Sequence, residues 1–158
     1  MSLVTPKSAL VSLSDKSNLN ELIEFLLDQE VKIISTGGTY NAIKKITDMV
    51  IEVSEFTGFE EMMNGRVKTL HPKIHAGILA RRETDLEVLT ERGYEVIDMV
   101  IVNLYPFQET VASDCKFDEA IEKIDIGGPT MIRSAAKNFK DVVVISDPND
   151  YGQLIHEW

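Results

Sequence analysis

Val31 to Thr39, VKIISTGGT, decides the fold. VKIIS is short and rich in Val and Ile, and it ends in two glycines set between hydroxyl residues, after which a helical segment is expected from about Tyr40. Four more runs share the character of this strand: Ala9 to Ser12 (ALVS), Met49 to Val53 (MVIEV), Met99 to Asn103 (MVIVN) and Val142 to Ser146 (VVVIS). Their apolar character is continuous and does not alternate in and out, which implies burial on both faces and therefore a parallel sheet covered by helices on each side. The helices are marked by Leu19, Leu22, Ile23, Leu26 and Leu27 at three-and-four spacing, by Leu86 and Leu89, by Ala120, Ile121 and Ile124, and by Ile132, Ala135 and Ala136. The expected architecture is α/β: an open, mainly parallel sheet of Rossmann type.

At 158 residues and 44% hydrophobic the chain is sized for one domain, residues 1–158, with a real core. Sixteen basic against 26 acidic residues give a net charge of -10, which argues against nucleic acid as a partner, because binders of phosphate backbones spread Lys and Arg over a whole face. No apolar run approaches the ~20 residues that span a bilayer, so no membrane is expected. The N-terminus lacks the regions of a signal peptide and Cys115 stands alone in a polar stretch, so a cytoplasmic setting and no thiol chemistry are expected. Met1 to Lys7 reads as an unordered leader, and no internal repeat or low-complexity tract is present.

Within this acidic chain, the 21 residues from Met62 to Arg82 contain no Asp or Glu and gather Arg66, Lys68, Lys73, Arg81 and Arg82. A solvated basic loop is the plainer explanation, but the turns leaving the strands point to an anion. In an open α/β sheet, ligands bind where strands end. The first strand exits into Ser12-Leu13-Ser14-Asp15-Lys16-Ser17. The second exits into Ser35-Thr36-Gly37-Gly38-Thr39, where glycines admit close backbone approach to a phosphate; ordinary helix caps would favour the same hydroxyl residues. The fourth ends in Asn103-Leu104-Tyr105-Pro106-Phe107, with Tyr105 held extended before Pro106. Asp125-Ile126-Gly127-Gly128-Pro129-Thr130 opens a further helix with Pro129 suited to its first position, and its glycines serve either an oxyanion or the turn's own dihedrals. His71 and His75 stand four apart, but Pro72 between them argues against a regular helix and no third ligand cluster is apparent, so no metal site is expected.

ALVSLSDKSNL, ISTGGT, EFTGFEEMMNGRVKTLHPKIHAGILARR, NLYPF and IDIGGPTMIRSAAKN, in this order, resemble the N-terminal domain of the bifunctional purine-biosynthesis proteins that combine AICAR transformylase with IMP cyclohydrolase. The similarity runs from about Lys7 to Tyr151, and GRVKTLHP and the Asp125 to Thr130 motif are its most specific parts. The resemblance implies a fold similar to methylglyoxal synthase and an IMP cyclohydrolase activity without metal or cofactor, closing formyl-AICAR to IMP with loss of water.

The carboxamide nitrogen that must attack the formyl carbon is a weak nucleophile, so holding both groups on one ring and stabilising the oxyanion are the main tasks. By similarity to the family, Lys68 stabilises the developing charge, Tyr105 relays a proton with it, and Asp125 and Lys137 orient and polarise the carboxamide. On one straight helix, 12 residues at ~1.5 Å each would part Asp125 from Lys137 by about 18 Å. Asp125 is therefore expected on a loop before the helix, or the two meet the substrate from different sides. Lys137 is equally well explained as a cation in a last helical turn. Backbone N–H groups of Ile126, Gly127 and Gly128 complete the oxyanion site. The ribotide phosphate is expected in Ser35 to Thr39, with help from Ser12, Ser14 and Lys16, while Arg66, Thr69 and Asn103 hold base and sugar.

The family further implies a homodimer and a fused transformylase domain, so this chain reads as its cyclohydrolase-like part, truncated at its C-terminus. Two rivals use the same fold: a methylglyoxal-synthase-like lyase, and a non-catalytic nucleotide sensor with no need of Lys68, Tyr105 and Asp125 together.

Overall fold

Five strands lie side by side in the order β3-β2-β1-β4-β5, every neighbouring pair parallel. They are β1 (Ser8–Leu13), β2 (Lys32–Ser35), β3 (Val50–Glu52), β4 (Met99–Asn103) and β5 (Val143–Ile145), so each run read from the sequence is a strand and β4 has the expected bounds. The computed structural model describes residues 5–158. Of the leader expected to be unordered, Met1–Val4 lie outside the described residues. Lys7 is tied in: its N–H donates to the Asp98 carboxylate at 3.0 Å and its carbonyl accepts from the Lys32 N–H at 2.9 Å.

The pleat explains why the strands read as unbroken apolar runs. Ala9, Val11, Leu13, Ile33, Met99 and Ile101 face one side, where Leu19, Leu22, Ile23 and Leu26 of α1 (Leu19–Asp28), Ile43 of α2 (Gly37–Ile43) and Tyr151 of α9 (Tyr151–Glu157) cover them. Leu10, Ile34, Val100 and Val102 face the other, against Phe56 of α3 (Val53–Thr57), Ile74 and Ile78 of α4 (Pro72–Leu79), and Met131 and Ala135 of α8 (Gly127–Lys137). Burying such a side chain contributes about 1.5–3 kcal/mol, and Leu22→Ala in this layer costs about 2–5 kcal/mol.

Several helix starts differ from the expectation. α2 begins at Gly37, ahead of Tyr40, and α8 begins at Gly127, which puts Pro129 in the third helical position. Pro72 starts α4 instead of breaking a helix: it occupies the first turn, where its missing N–H has no partner to lose, and the His71 ring caps it by accepting the Lys73 N–H at 3.1 Å. α5 (Leu86–Glu91) buries Leu89 and exposes Leu86. α6 (Phe107–Ala112) and α7 (Phe117–Glu122) contain no buried residue, so Ile121, one of the residues that marked a helix here, lies at the surface together with Ile124.

From β1 the chain steps outward to β2 and β3, then returns to β4 on the other side of β1. The order reverses between β1 and β4, and the loops leaving these strands part there to form a crevice.

Candidate active site

A cleft of about 690 Å³ opens at the carboxyl ends of β1, β2 and β4. This volume suits a ligand of nucleotide size. Ser12, Ser14 and Lys16 line it from the exit of β1; Thr36, Gly37, Gly38 and Thr39 from the exit of β2; and Asn103 and Tyr105 from the exit of β4. Arg66, Lys68 and Thr69 close one side, and Asp125, Ile126, Gly127 and Gly128 close another. Two expected residues stand apart. Ser35 is fully buried and its hydroxyl donates to the Val11 carbonyl at 2.7 Å, which joins β2 to β1 and commits the proton it would have given a phosphate. Lys137 is exposed in the last turn of the 11-residue α8, about 15 Å of helix away from the end that meets the cleft.

The two glycines after β2 serve different purposes. Gly37 has φ +57°, a left-handed backbone that disfavours any side chain, and a Cβ built on it would stand 3.2 Å from the Lys68 ammonium. A Cβ on Gly38 would stand 3.9 Å from the Lys16 ammonium. Two cations from distant parts of the chain thus converge over this bare stretch of backbone. The Lys16 Nζ donates to the Leu13 and Ser14 carbonyls at 3.1 and 3.4 Å, and the nearest carboxylate to Lys68, that of Glu61, is 3.9 Å away.

The loop carrying Arg66 and Lys68 is stiffened locally. Met62 and Val67 exchange backbone hydrogen bonds at 3.0 and 3.3 Å around Met63, Asn64 and Gly65, whose φ angles are +53°, +55° and +84°. Three consecutive left-handed residues, two of them not glycine, are strain of the kind that collects at functional loops. Of the five cations in the acid-free run, only Arg66 and Lys68 face the cleft. Arg81 pairs with Asp85 and Arg82 with Asp98, while the Lys73 ammonium sits 4.7 Å from the centre of the Phe56 ring.

Asp125 precedes α8 on the loop, the first of the two arrangements its spacing from Lys137 allowed, and its Oδ1 accepts the Gly128 N–H at 2.9 Å. That N–H is therefore engaged. Neither Gly127 nor Gly128 has a positive φ; close approach is what demands them. A Cβ on Gly127 would collide with the Thr69 hydroxyl, and one on Gly128 would come within 2.6 Å of the Asp125 carboxylate and 2.7 Å of Leu104. Tyr105 is half-exposed, with the Lys123 ammonium 5.4 Å from its ring centre.

His75 braces this wall from behind. Its Nδ1 lies 3.0 Å from the Ser134 hydroxyl on α8, and burial holds the ring below its ordinary pKa, partly offset by the Thr69 backbone. Leu13, Asn64, Gly65, Ile121, Glu122, Ile124 and Met131 also line the cleft and were not anticipated. Gly65 had a signal, being a glycine beside the basic loop. Ile121 and Ile124 carried a helical period that reads as core, and Glu122, which pairs with Arg66 across the cleft, had none.

A family model described as the MGS-like domain matches residues 18–130. The chain is 56% identical, over 96% of its length, to a bifunctional purine biosynthesis protein PurH of Clostridium botulinum, and 56% identical over the same share to PurH proteins of Clostridium perfringens and Fusobacterium nucleatum. It spans about a third of these relatives, 30–31% of their length. A solved structure described as the crystal structure of ForH superposes with a TM-score of 0.80 at 36% identity, covering 96% of this chain and 79% of that one.

Proposed function

The chain belongs to the MGS-like domain family, and from that premise we propose that it is the IMP cyclohydrolase unit of a bifunctional purine-biosynthesis protein, closing formyl-AICAR ribotide to inosine monophosphate. The observation that carries this reading is the convergence of the Lys16 and Lys68 ammoniums on the Gly37–Gly38 backbone, in one cleft with Tyr105 and Asp125. The Lys16 ammonium beside the bare Gly37–Gly38 backbone is the expected seat of a ribotide phosphate, which leaves Lys68, on the Gly37 side of the cleft, for the reacting end of the ligand. The name of the relatives supports purine biosynthesis, and their bifunctionality and greater length support a second unit, the transformylase.

In the proposed reaction the carboxamide nitrogen bonds to the formyl carbon, and the formyl oxygen takes up the proton that nitrogen loses. The resulting carbinolamine expels its hydroxyl as water, together with a proton from a ring nitrogen, to leave the aromatic pyrimidinone. Lys68 stabilises the oxygen as charge develops, Tyr105 carries protons, and Asp125 orients the carboxamide while capping α8. Arg66 and Thr69 meet the base and sugar. No step is assigned to Lys137, given its exposed place at the far end of α8.

The test is incubation with formyl-AICAR ribotide while following purine absorbance, with dihydroxyacetone phosphate in parallel. Purine formation alone is expected. Methylglyoxal formation, or nucleotide binding without turnover, would replace this reading by the lyase or the sensor.

A further inference from the structure

The exit turn of β1 is held by side chains that also border the cleft. Asn103, at the end of β4, uses its amide on the turn: Oδ1 accepts the Ser14 N–H at 2.6 Å and the Asp15 N–H at 2.9 Å, and Nδ2 donates to the Asp15 carbonyl at 2.7 Å. On the other side Thr39 grips the preceding residue, its hydroxyl accepting the Leu13 N–H at 2.8 Å and donating to the Leu13 carbonyl at 3.0 Å. The Asp15 carboxylate accepts the Ser17 N–H at 2.8 Å. The amides of residues 14, 15 and 17 are thereby engaged within the protein, which leaves Lys16, with the Ser14 hydroxyl, as what this turn offers an anion.

An amide oxygen has two acceptor sites, and both of Asn103's go to the turn. We infer that Asn103, with Thr39, is a positioning residue: it fixes the Ser14–Lys16 turn so that the Lys16 ammonium stands over Gly38, and it acts on the anionic end of the ligand without holding base or sugar. The direction of the effect follows from the register. Leu13 pairs with Asn103 across β1 and β4, so the side chain reaches the turn with no intervening loop, and β4 becomes the fixed reference for the cation. Loosening the turn frees Lys16 to leave Gly38 and costs the ligand its charge-assisted contact. This inference rests on the nucleotide reading of the cleft.

The experiment compares inosine monophosphate with inosine, a phosphate-bearing and a phosphate-free form of the same ligand, by titration calorimetry on the wild-type chain, Asn103→Ala, Lys16→Ala and the double variant. Asn103→Ala is expected to weaken the nucleotide about tenfold, the effect of losing a charge-assisted contact, and to leave the nucleoside unchanged. In the Lys16→Ala background the same change is expected to have little further effect, since the two act through one contact. Equal loss for nucleotide and nucleoside, or additive losses in the double variant, overturns the inference in favour of direct contact with base or sugar. Amide exchange supplies an arm that needs no ligand. Protection at residues 14 and 15 falls in Asn103→Ala and is largely restored in Asn103→Asp, which keeps the accepting oxygen; unchanged protection in Asn103→Ala also overturns the inference. A wild-type chain that binds neither compound defeats the proposed function, while the exchange data still decide whether Asn103 holds the turn.

Discussion

The two ends of the sheet use charge in opposite ways. At the amino end, Asp98 is nearly buried and fully partnered: it accepts from the Arg82 guanidinium at 3.0 Å, the Lys7 N–H at 3.0 Å and the Ser8 hydroxyl at 3.3 Å. At the carboxyl end, Lys16 and Lys68 converge on exposed backbone, and the pairing nearest to either, Lys68 with Glu61, is loose at 3.9 Å. Both clusters draw on the same acid-free stretch, which supplies Arg82 to one end and Lys68 to the other. The two sets differ in the partner the fold brings to them. At the amino end it is a carboxylate of the protein 3.0 Å away; at the other, no carboxylate among the described residues comes closer than 3.9 Å to either ammonium, which is where the proposed function seats the ligand's anion.

Substitutions at the two ends should therefore separate stability from binding. The largest effect on stability is expected for Asp98→Ala, about 3–5 kcal/mol, because it strands a largely buried guanidinium; chemical denaturation should report this loss while the folded fraction keeps its nucleotide affinity. Gly128→Ala is expected next, at about 1–3 kcal/mol, since its methyl must displace Asp125 or Leu104. Here turnover and stability should fall together, and turnover falling alone would mean the wall had merely shifted. Gly37→Ala places a side chain at φ +57° in the backbone that cradles the phosphate, so a stability loss of about 1 kcal/mol should accompany a larger, roughly tenfold, loss of nucleotide affinity. Retained affinity in this variant would erase the contrast between the two ends.

Titration gives a smaller signal of each kind. Burial, with Asp15 and Asp147 nearby, raises the Tyr151 phenol to about 12 from its ordinary 10.0. The unfolded chain ionises this group first, so its contribution is intact below pH 10 and is lost as pH rises toward 12; Tyr151→Phe should flatten that part of the alkaline unfolding curve. His75 has the opposite sign. Its pKa is depressed by burial, so its contribution is present above the ordinary value of about 6.5 and is lost as pH falls through the folded-state value, loosening the α4–α8 joint behind Thr69. His75→Gln should reduce the acid sensitivity of the melting temperature. Smallest of all is Glu122→Gln, below about 1 kcal/mol, because both partners of the Arg66–Glu122 pair are more than half exposed.

The sheet was legible because burial on two faces leaves an unmistakable run of Val and Ile, and the cleft was legible because glycines mark where backbone must come close. The roles of Ser35, Thr39 and Asn103 were not. Their hydroxyls and amide look free to bind a ligand until the fold sets Val11, Leu13 and Ser14 against them, 24, 26 and 89 residues away in the chain. A hydrogen bond over such a separation leaves no local pattern. Pro72 misled for a related reason: the residue that breaks a helix from within also begins one, and only the His71 cap tells the two apart.

Lys68 bears the heaviest part of the proposed chemistry. Steady-state closure of the formylated ribotide by the wild-type chain and by Lys68→Ala should show kcat lowered about 10²–10³-fold with KM changed only a few-fold, the mark of a group whose contribution appears as charge develops. A loss confined to KM, with kcat intact, would make Lys68 a phosphate anchor like Lys16 and contradict its place at the reacting carbon.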